Sequence, residues 1–381
     1  VGPAVIIGGG ISGLSTAYYL AKANRPSIVI EARPRLGGVI RTDRVEGSIL
    51  EAGPDSFLSA KPAAMELIRE LGLASEVIGS NDRLRKTYVW KNGRLIALPD
   101  GLMLMVPTRV MPMAATSLLS WPTKIRMGLE WFHRARNHAG DRSVAEFIEQ
   151  HYGREAVDYL AEPLLSGIYG GNPSVLSIRS VLPRFVELER KYGSLTRGVL
   201  AERRKNAAAQ AGGTPLFRTL ASGLQTLTDA LAARAALRVV HAAAETIERG
   251  GNGFRVRAGG DWMEAEHVVL ACEAHRAAPL AAALDGRVGE ILASVPYSSS
   301  MTVALGFSEH DFRPKQPGFG FLVPRKERRR LVACTYTGTK FPHRVPPGSI
   351  VLRCFLGGAE DAAVLEESDG AIAAAVLEEL R

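Results

Sequence analysis

The stretch Val5-Ile6-Ile7-Gly8-Gly9-Gly10-Ile11-Ser12-Gly13-Leu14, with Ser27-Ile28-Val29-Ile30-Glu31 behind it, decides the fold. Val5, Ile6 and Ile7 form a short β-branched run, which predicts a buried strand. Gly8, Gly10 and Gly13 stand in the G-x-G-x-x-G pattern. Residues 12–23 carry Ala17, Leu20 and Ala21 and predict a helix. Ile28, Val29 and Ile30 give the next strand. In such a βαβ unit the first glycine makes the tight turn, the second lets a pyrophosphate approach, and the third lets helix and strand pack closely. The helix N-terminus offers free N–H groups and about half a positive charge to that pyrophosphate. Glu31 ends the second strand, where a carboxylate can hold both hydroxyls of an adenosine ribose. An acid there repels a 2′-phosphate and disfavours NADP.

The following residues, Ala32-Arg33-Pro34-Arg35-Leu36-Gly37-Gly38-Val39-Ile40-Arg41-Thr42, hold a second glycine pair that an ordinary nicotinamide fold does not need. This resembles the extended fingerprint of the FAD-dependent amine oxidase superfamily. The arginine that usually follows the pair is Val39 here, and Arg41 comes two places later. Glu51-Ala52-Gly53-Pro54-Asp55-Ser56 is another glycine–proline turn after a strand. In that superfamily the segment runs beside the isoalloxazine.

The chain has 381 residues and 46% hydrophobic content, enough for a sizeable core in two or three domains. No apolar run reaches the roughly 18 residues of a spanning helix. The three cysteines, Cys272, Cys334 and Cys354, form no C-x-x-C pair, so neither a disulfide framework nor a metal knuckle is supported. His133 and His138 lie five apart, a poor ligand spacing, and no metal is expected. The net charge is +8. Without a nucleic-acid motif, this leaves anionic lipid, an acidic small molecule or a solvated basic surface. A strand rather than a signal peptide opens the chain, and a reducing cytoplasm is the expected compartment. The chain starts at Val1 and stops at Arg381 inside a helix-like segment with Ile372, Val376 and Leu380 behind Asp369, so both ends read as cut.

Further along, residues 61–71 predict a helix stopped by Gly72, and Asn92-Gly93 marks a hairpin between residues 87–90 and 95–98. Residues 101–137 are rich in methionine, tryptophan and leucine, with Arg109, Lys124, Arg126, Arg134 and Arg136 interspersed. Ile125, Leu129 and Phe132 fall at helical spacing. Two readings stand: a surface that docks on anionic lipid, and a helical subdomain filled by adaptable methionines. Helices are expected over 144–150 and 154–165, then a turn of small residues from Glu162 to Pro173. Residues 201–213, basic and alanine-rich, read as a mobile linker. Residues 222–271, a helix and several strands, return to the nucleotide domain. From Ser299 four strands suggest an antiparallel sheet in which Gly320 and Leu322 share one face and Phe319 and Phe321 the other.

The expected architecture is α/β, α+β overall. A Rossmann-like FAD-binding domain (1–80 and 212–290) carries an inserted helical domain (101–200). A substrate domain with a mixed or antiparallel sheet takes 81–100 and 291–381. With these pieces the chain resembles the protoporphyrinogen and coproporphyrinogen III oxidases of haem biosynthesis. Pro54-Asp55-Ser56-Phe57-Leu58, Ile168-Tyr169-Gly170-Gly171 and Ala333-Cys334-Thr335 are most similar to the Gram-positive, coproporphyrinogen-oxidising type. The resemblance implies FAD as cofactor and oxidation of coproporphyrinogen III, with oxygen as acceptor and no side-chain acid or base; the alternatives are a protoporphyrinogen IX oxidase, another flavoenzyme of the amine oxidase superfamily and a non-catalytic porphyrin-binding or delivery protein. Gly8, Gly9, Gly10, Ile11, Ser12 and Gly13 would hold the pyrophosphate, and Glu31 and Ala32 the adenosine. Gly37, Gly38, Val39, Gly53, Pro54, Asp55 and Ser56 would line the flavin, and Ala244 would touch it through its backbone. Gly167, Ile168, Phe319, Gly320, Leu322 and Phe355 would hold the macrocycle. Protoporphyrinogen-acting relatives carry a propionate-binding arginine where this chain has Ile96 and Met103, with Arg94 nearby; coproporphyrinogen is thereby favoured. A further flavin-contacting segment is expected beyond Arg381. Peripheral contact with an anionic membrane is the remaining partner reading.

Overall fold

The structure, a computed structural model, describes residues 2–135, 140–205, 214–251, 253–312, 314 and 316–381, with the backbone alone at 168–169. The N-terminal segment gives strand β1 (Ala4–Ile7), helix α1 (Ile11–Lys22) and strand β2 (Ser27–Ile30). The middle gives strands β3 (Thr87–Lys91) and β4 (Arg94–Ala97) and helices α2 (Trp121–Leu129), α3 (Val144–Tyr152), α4 (Glu162–Tyr169), α5 (Pro183–Tyr192) and α6 (Leu195–Lys205). A return segment supplies β5 (Arg238–Val240) and β6 (His267–Leu270). The last segment supplies β7 (Ser300–Ser308), β8 (Gly320–Leu322), β9 (Ala333–Tyr336), β10 (Ser349–Gly357) and α7 (Asp369–Leu380).

The chain divides into two compact units, Val1–Ser80 with Pro215–Tyr297, and Asn81–Thr214 with Ser298–Arg381. In the first, β1 lies at the centre of a parallel sheet ordered β5-β2-β1-β6. Alternation along β1 decides its partners. Ile6 faces Ala17 of α1, whereas Val5 and Ile7 face an antiparallel meander (Ala244–Gly250, Gly253–Ala258, Asp261–Ala265) through Ile247, Val256 and Ala265. Helix, parallel sheet and meander therefore make three layers. A short alternating strand with apolar residues on both faces requires cover on both.

The second unit is built on a six-stranded mixed sheet, β7-β10-β9-β8-β3-β4, antiparallel except where β8 runs parallel to β3. Asn92 and Gly93 take positive φ (51° and 76°), the conformation that joins β3 to β4 tightly. One face buries Cys334, Tyr336, Leu352, Cys354 and Leu356 against Ile372 and Val376 of α7. The N-cap of α7 is Ser368, whose hydroxyl accepts from the Ala371 amide, rather than Asp369. Helices α3–α6 form a second core around Phe147, Ile148, Tyr152 and Leu160, into which Val89 of β3 also packs.

Several expectations change. Helical and sheet parts share the Val89 core and one compact unit, because Lys91 on β3 donates to the Leu118 carbonyl at 2.7 Å and pairs with Glu155 at 3.2 Å. The helix expected over 154–165 is interrupted by a π turn at Val157–Ala161. It resumes from Glu162 as α4, and the chain turns only at Gly170, in the left-handed conformation (φ 60°). A glycine needs no Cβ room there, so it ends the helix later than the small-residue pattern suggested. Residues 201–205 of the expected linker are the last turn of α6; residues 206–213 lie outside the described residues.

Candidate functional site

In the first unit the glycines are held by close backbone approaches. A Cβ on Gly13 would stand 1.9 Å from the Gly8 carbonyl oxygen, so only glycine lets α1 rest on the β1 turn. Gly10 differs: its Cβ would meet nothing nearer than the Gly38 Cα at 3.9 Å, which leaves open space at the start of α1. No side chain caps that helix. The Gly37 amide donates to the Gly9 carbonyl at 2.8 Å, which sets the second glycine pair against the first loop. Gly53 approaches the Val39 carbonyl so closely that a Cβ would sit at 1.9 Å. Val39 itself is 66% exposed. Ser56 donates its hydroxyl hydrogen to Asp55 at 2.6 Å. Ala244 opens the meander beside a bulge and packs on its core.

Glu31 is buried, and its two oxygens are oriented by the chain: Oε2 accepts from Gly9 N–H at 2.7 Å and Oε1 from Arg33 N–H at 2.8 Å. Each oxygen keeps a second lone pair for a ribose hydroxyl. Two supports went unread in the sequence. Arg35 donates to the carbonyls of Leu36 (3.2 Å), Gly38 (2.5 Å) and Ile40 (3.1 Å), bracing the second glycine turn. Buried Glu51 accepts from the Leu224 amide and the Thr42 hydroxyl, each at 2.8 Å. An acid two places before Gly53 was the available signal.

In the second unit, sheet register assembles an apolar row on one sheet face. Leu322, Ala333, Phe355 and Thr302 lie in one row across β8, β9, β10 and β7. Gly320, Thr335, Arg353 and Ala304 form the adjoining row on the same face. With strands about 4.8 Å apart, small Ala333 separates the larger Leu322 and Phe355. Helix α4 passes over this face, since a Cβ on Gly167 would lie 3.1 Å from Leu322 Cδ2. The structure thus brings Gly167, Gly320, Leu322 and Phe355 together. Phe319, by contrast, precedes β8 and is 7% exposed. The Ile168 side chain lies outside the described residues. Ile96 and Met103 pack on the helical core, and Arg94 is exposed opposite Lys91 at the hairpin end.

The model of the flavin-containing amine oxidoreductase family matches residues 11–381. This chain belongs to the flavin-containing amine oxidoreductases. The relatives of this amine oxidoreductase include the coproporphyrinogen III oxidase of Bacillus subtilis (strain 168), 34% identical over 99% of this chain and 82% of that protein. The chloroplastic protoporphyrinogen oxidase 1 of Arabidopsis thaliana is 29% identical over 99% of this chain and 73% of that protein. A crystal structure of a provisionally named protoporphyrinogen oxidase from Exiguobacterium sp. 255-15 superposes with a TM-score of 0.87 at 29% identity, covering all of this chain and 82% of that one.

The oxidoreductase is FAD-dependent, and its residues fit the cofactor's adenosine diphosphate half. The uncapped α1 N-terminus, the open side of Gly10 and the oriented Glu31 carboxylate are the three features a dinucleotide requires. No group of His, Cys, Asp or Glu suited to a metal ion occurs among the described residues. No helix among them is long and apolar enough to cross a membrane.

Two further features belong to the helical part of the second unit. Val110, Met111, Trp121, Ile125, Leu129 and Phe132 are exposed, at 60–82% of their surface. Met105, Met113 and Met127 fill the core beneath. The methionine-filled helical subdomain is therefore present, with exposed apolar residues beside its core. Nearby, buried His151 stands between Glu130 (2.9 Å from Nδ1) and Glu189 (3.3 Å from Nε2). Arg142 pairs with Glu189 at 2.5 Å.

Proposed function

We propose that this chain oxidises coproporphyrinogen III to coproporphyrin III, with FAD as electron acceptor and oxygen as terminal oxidant. The supporting observation is near full-length similarity to a protein of that name, together with the apolar row of Leu322, Ala333 and Phe355, whose flat surface suits a macrocycle. When bound, FAD supplies a two-electron acceptor for carbon–hydrogen oxidation. The chain's own work is binding and orientation. Amides of the first glycine loop and the α1 N-terminus hold the pyrophosphate, and Glu31 accepts from the ribose. Leu322 and Phe355 grip the macrocycle, Ala333 and Gly320 leave it room, and their apolar surface excludes water. Oxidation to the porphyrin removes six hydrogens, so the macrocycle must present several positions in turn. The apolar row of Leu322, Ala333 and Phe355 offers no directional bonds of its own and permits that repositioning.

The reading includes a place of work. The exposed residues Trp121, Ile125, Leu129 and Phe132, with Lys124, Arg126 and Arg134 among them, dock the cytoplasmic protein on an anionic membrane surface.

The test is oxidation of coproporphyrinogen III and protoporphyrinogen IX, side by side, by the FAD-loaded protein, read by porphyrin fluorescence. A preference for coproporphyrinogen supports the proposal. Preference for protoporphyrinogen reassigns the substrate, and activity with neither overturns the porphyrinogen reading.

A further inference from the structure

Helix α4 is tied to the sheet at both of its ends. Glu162 opens it and Ser166 stands one turn on, so the two share a helix face. Both meet Arg328, which comes from the loop between β8 and β9. Its Nη2 donates to Glu162 Oε1 at 2.9 Å, to Ser166 Oγ at 3.2 Å and to the Val323 carbonyl at 3.0 Å. The second oxygen, Glu162 Oε2, accepts from the Arg325 amide at 2.8 Å. The ion pair is buried, with 9% of the Arg328 side chain and 10% of the Glu162 side chain exposed. Val323 follows Leu322 directly, so one nitrogen holds the start of α4 to the end of β8. At the other end of the helix the Gly170 carbonyl accepts from the Ala359 amide at 3.0 Å, just beyond β10. The 8 residues of α4 span about 12 Å, and β8 and β10, two strand spacings apart, are separated by about 10 Å. Helix α4 therefore lies across the ends of β8, β9 and β10, where it borders the row of Leu322, Ala333 and Phe355. Gly167 marks the contact, since its Cβ would lie 3.1 Å from Leu322 Cδ2.

We infer that Arg328 is a positioning residue, which holds α4 as a fixed wall beside Leu322, Ala333 and Phe355 and so sets how much of that row is open to the macrocycle. The inference rests on the porphyrinogen oxidase reading above. With its Nη2 shared among three acceptors of the chain itself, Arg328 acts on the fold and not on a ligand. A planar guanidinium fixes the directions in which its partners stand, which a flexible ammonium does not. A buried carboxylate left without its cation is strongly disfavoured, so loss of Arg328 turns Glu162 toward water and lets α4 move off Leu322. The row supplies apolar contact and no bond to a reacting atom. Disturbing it removes binding common to ground state and transition state, which raises KM and leaves kcat nearly unchanged. Arg329, next in the chain, pairs with Glu378 at 3.6 Å, with both side chains largely exposed, and is the natural control.

The experiment measures KM and kcat for coproporphyrinogen III, together with Tm, in FAD-loaded proteins. These are the wild type, Arg328→Met, Arg328→Lys, Gly167→Ala, Arg329→Gln and the double variant of Arg328→Met with Gly167→Ala. Arg328→Met is expected to raise KM about 10-fold, the scale of a slightly misplaced binding surface, with kcat nearly unchanged. Arg328→Lys keeps the charge without the fork and should raise KM by a smaller factor. Arg329→Gln should leave both constants as in the wild type. Gly167→Ala presses a methyl onto Leu322 and should raise KM several-fold while the wall is fixed. In the Arg328→Met background the helix can yield, so the same methyl should add little. If Arg328→Met does not fold, Arg328→Lys takes its place in this cycle. A lower Tm with KM at the wild-type value overturns the role of Arg328, as do equal Gly167→Ala factors in both backgrounds. Wild-type protein inactive on coproporphyrinogen III and on protoporphyrinogen IX overturns the porphyrinogen reading itself.

Discussion

Glu31 Oε2 accepts the Gly9 amide hydrogen at 2.7 Å, so the carboxylate that follows β2 is fastened to the first glycine loop. The acid fixes the loop, and in the proposed reading it also receives the nucleotide's ribose. Glu31→Ala leaves the Gly9 and Arg33 amides without their acceptor, which costs about 1–3 kcal/mol for a buried donor. FAD affinity should fall about 10- to 100-fold. Calorimetric titration of the apoprotein with FAD measures the second effect, and thermal denaturation without FAD the first. Unchanged affinity would remove Glu31 from the cofactor site.

Gly10 and Gly13 should respond oppositely to alanine. Gly13→Ala drives a methyl into the Gly8 carbonyl and should cost several kcal/mol, as overpacking does, leaving little folded protein. Gly10→Ala meets open space, so the apoprotein should keep its Tm while the methyl occupies the approach of the pyrophosphate. The expected pattern is normal melting with lost FAD absorbance for the first-loop Gly10→Ala variant. Normal FAD content in that variant would contradict the assignment.

The exposed apolar face of α2 predicts lipid docking without a stability penalty when it is removed. Trp121→Ser with Ile125→Ser deletes side chains that are 65% and 60% exposed, so Tm should change little. Flotation with vesicles containing anionic phosphatidylglycerol should fall several-fold in the double variant. It should also weaken in the wild type as salt rises, since Arg126 and Arg134 act through screened charge. Equal flotation of both proteins would mean that this face does not meet lipid.

Buried His151 gives the second unit a two-sided pH dependence. Burial disfavours its charge, but hydrogen bonds to Glu130 and Glu189 outweigh that and raise its pKa above 6.5. Burial likewise pushes Glu130 up, and bonds from His151, Thr196 and Ser194 more than reverse it, to below 4.5. Glu189 is brought to about 2, against burial, by His151 and Arg142. The carboxylates therefore stabilise the fold above about pH 4.5 and lose that contribution as pH falls through their lowered values. His151 stabilises it fully below about pH 6.5 and loses its contribution as pH rises through the raised value. Tm should peak between these limits. His151→Ala should cost about 3–5 kcal/mol, as removal of one partner from a buried pair does, and should flatten the alkaline side of the profile. Identical Tm–pH curves for variant and wild type would show that His151 carries no charge in the fold.

The β1–α1–β2 unit was legible residue by residue, because its glycines, strand alternation and terminal acid are local requirements of one turn. The Asn92-Gly93 hairpin was legible for the same reason. The face shared by Gly320 and Leu322 followed from alternation alone. Missed features were non-local. The π turn before α4 carries no compositional sign, and the end of α4 depends on which of two glycines takes the left-handed conformation. The bracing contacts of Arg35 and Glu51 involve carbonyls and amides, which every residue possesses.

Sequence by itself determined the cofactor half of the protein: Gly8, Gly10, Gly13 and Glu31 admit few backbones, since each is selected by steric exclusion or by charge at a fixed point along one chain segment. Tertiary structure alone decided the rest. Register across β8, β9 and β10 put Ala333 between Leu322 and Phe355, and placed Arg353 in the next row. Packing of the helices buried Met105, Met113 and Met127 and left Trp121, Ile125 and Leu129 exposed. Periodicity specifies that a helix has an apolar stripe, but only the neighbours that fold against it determine which part of that stripe leaves water.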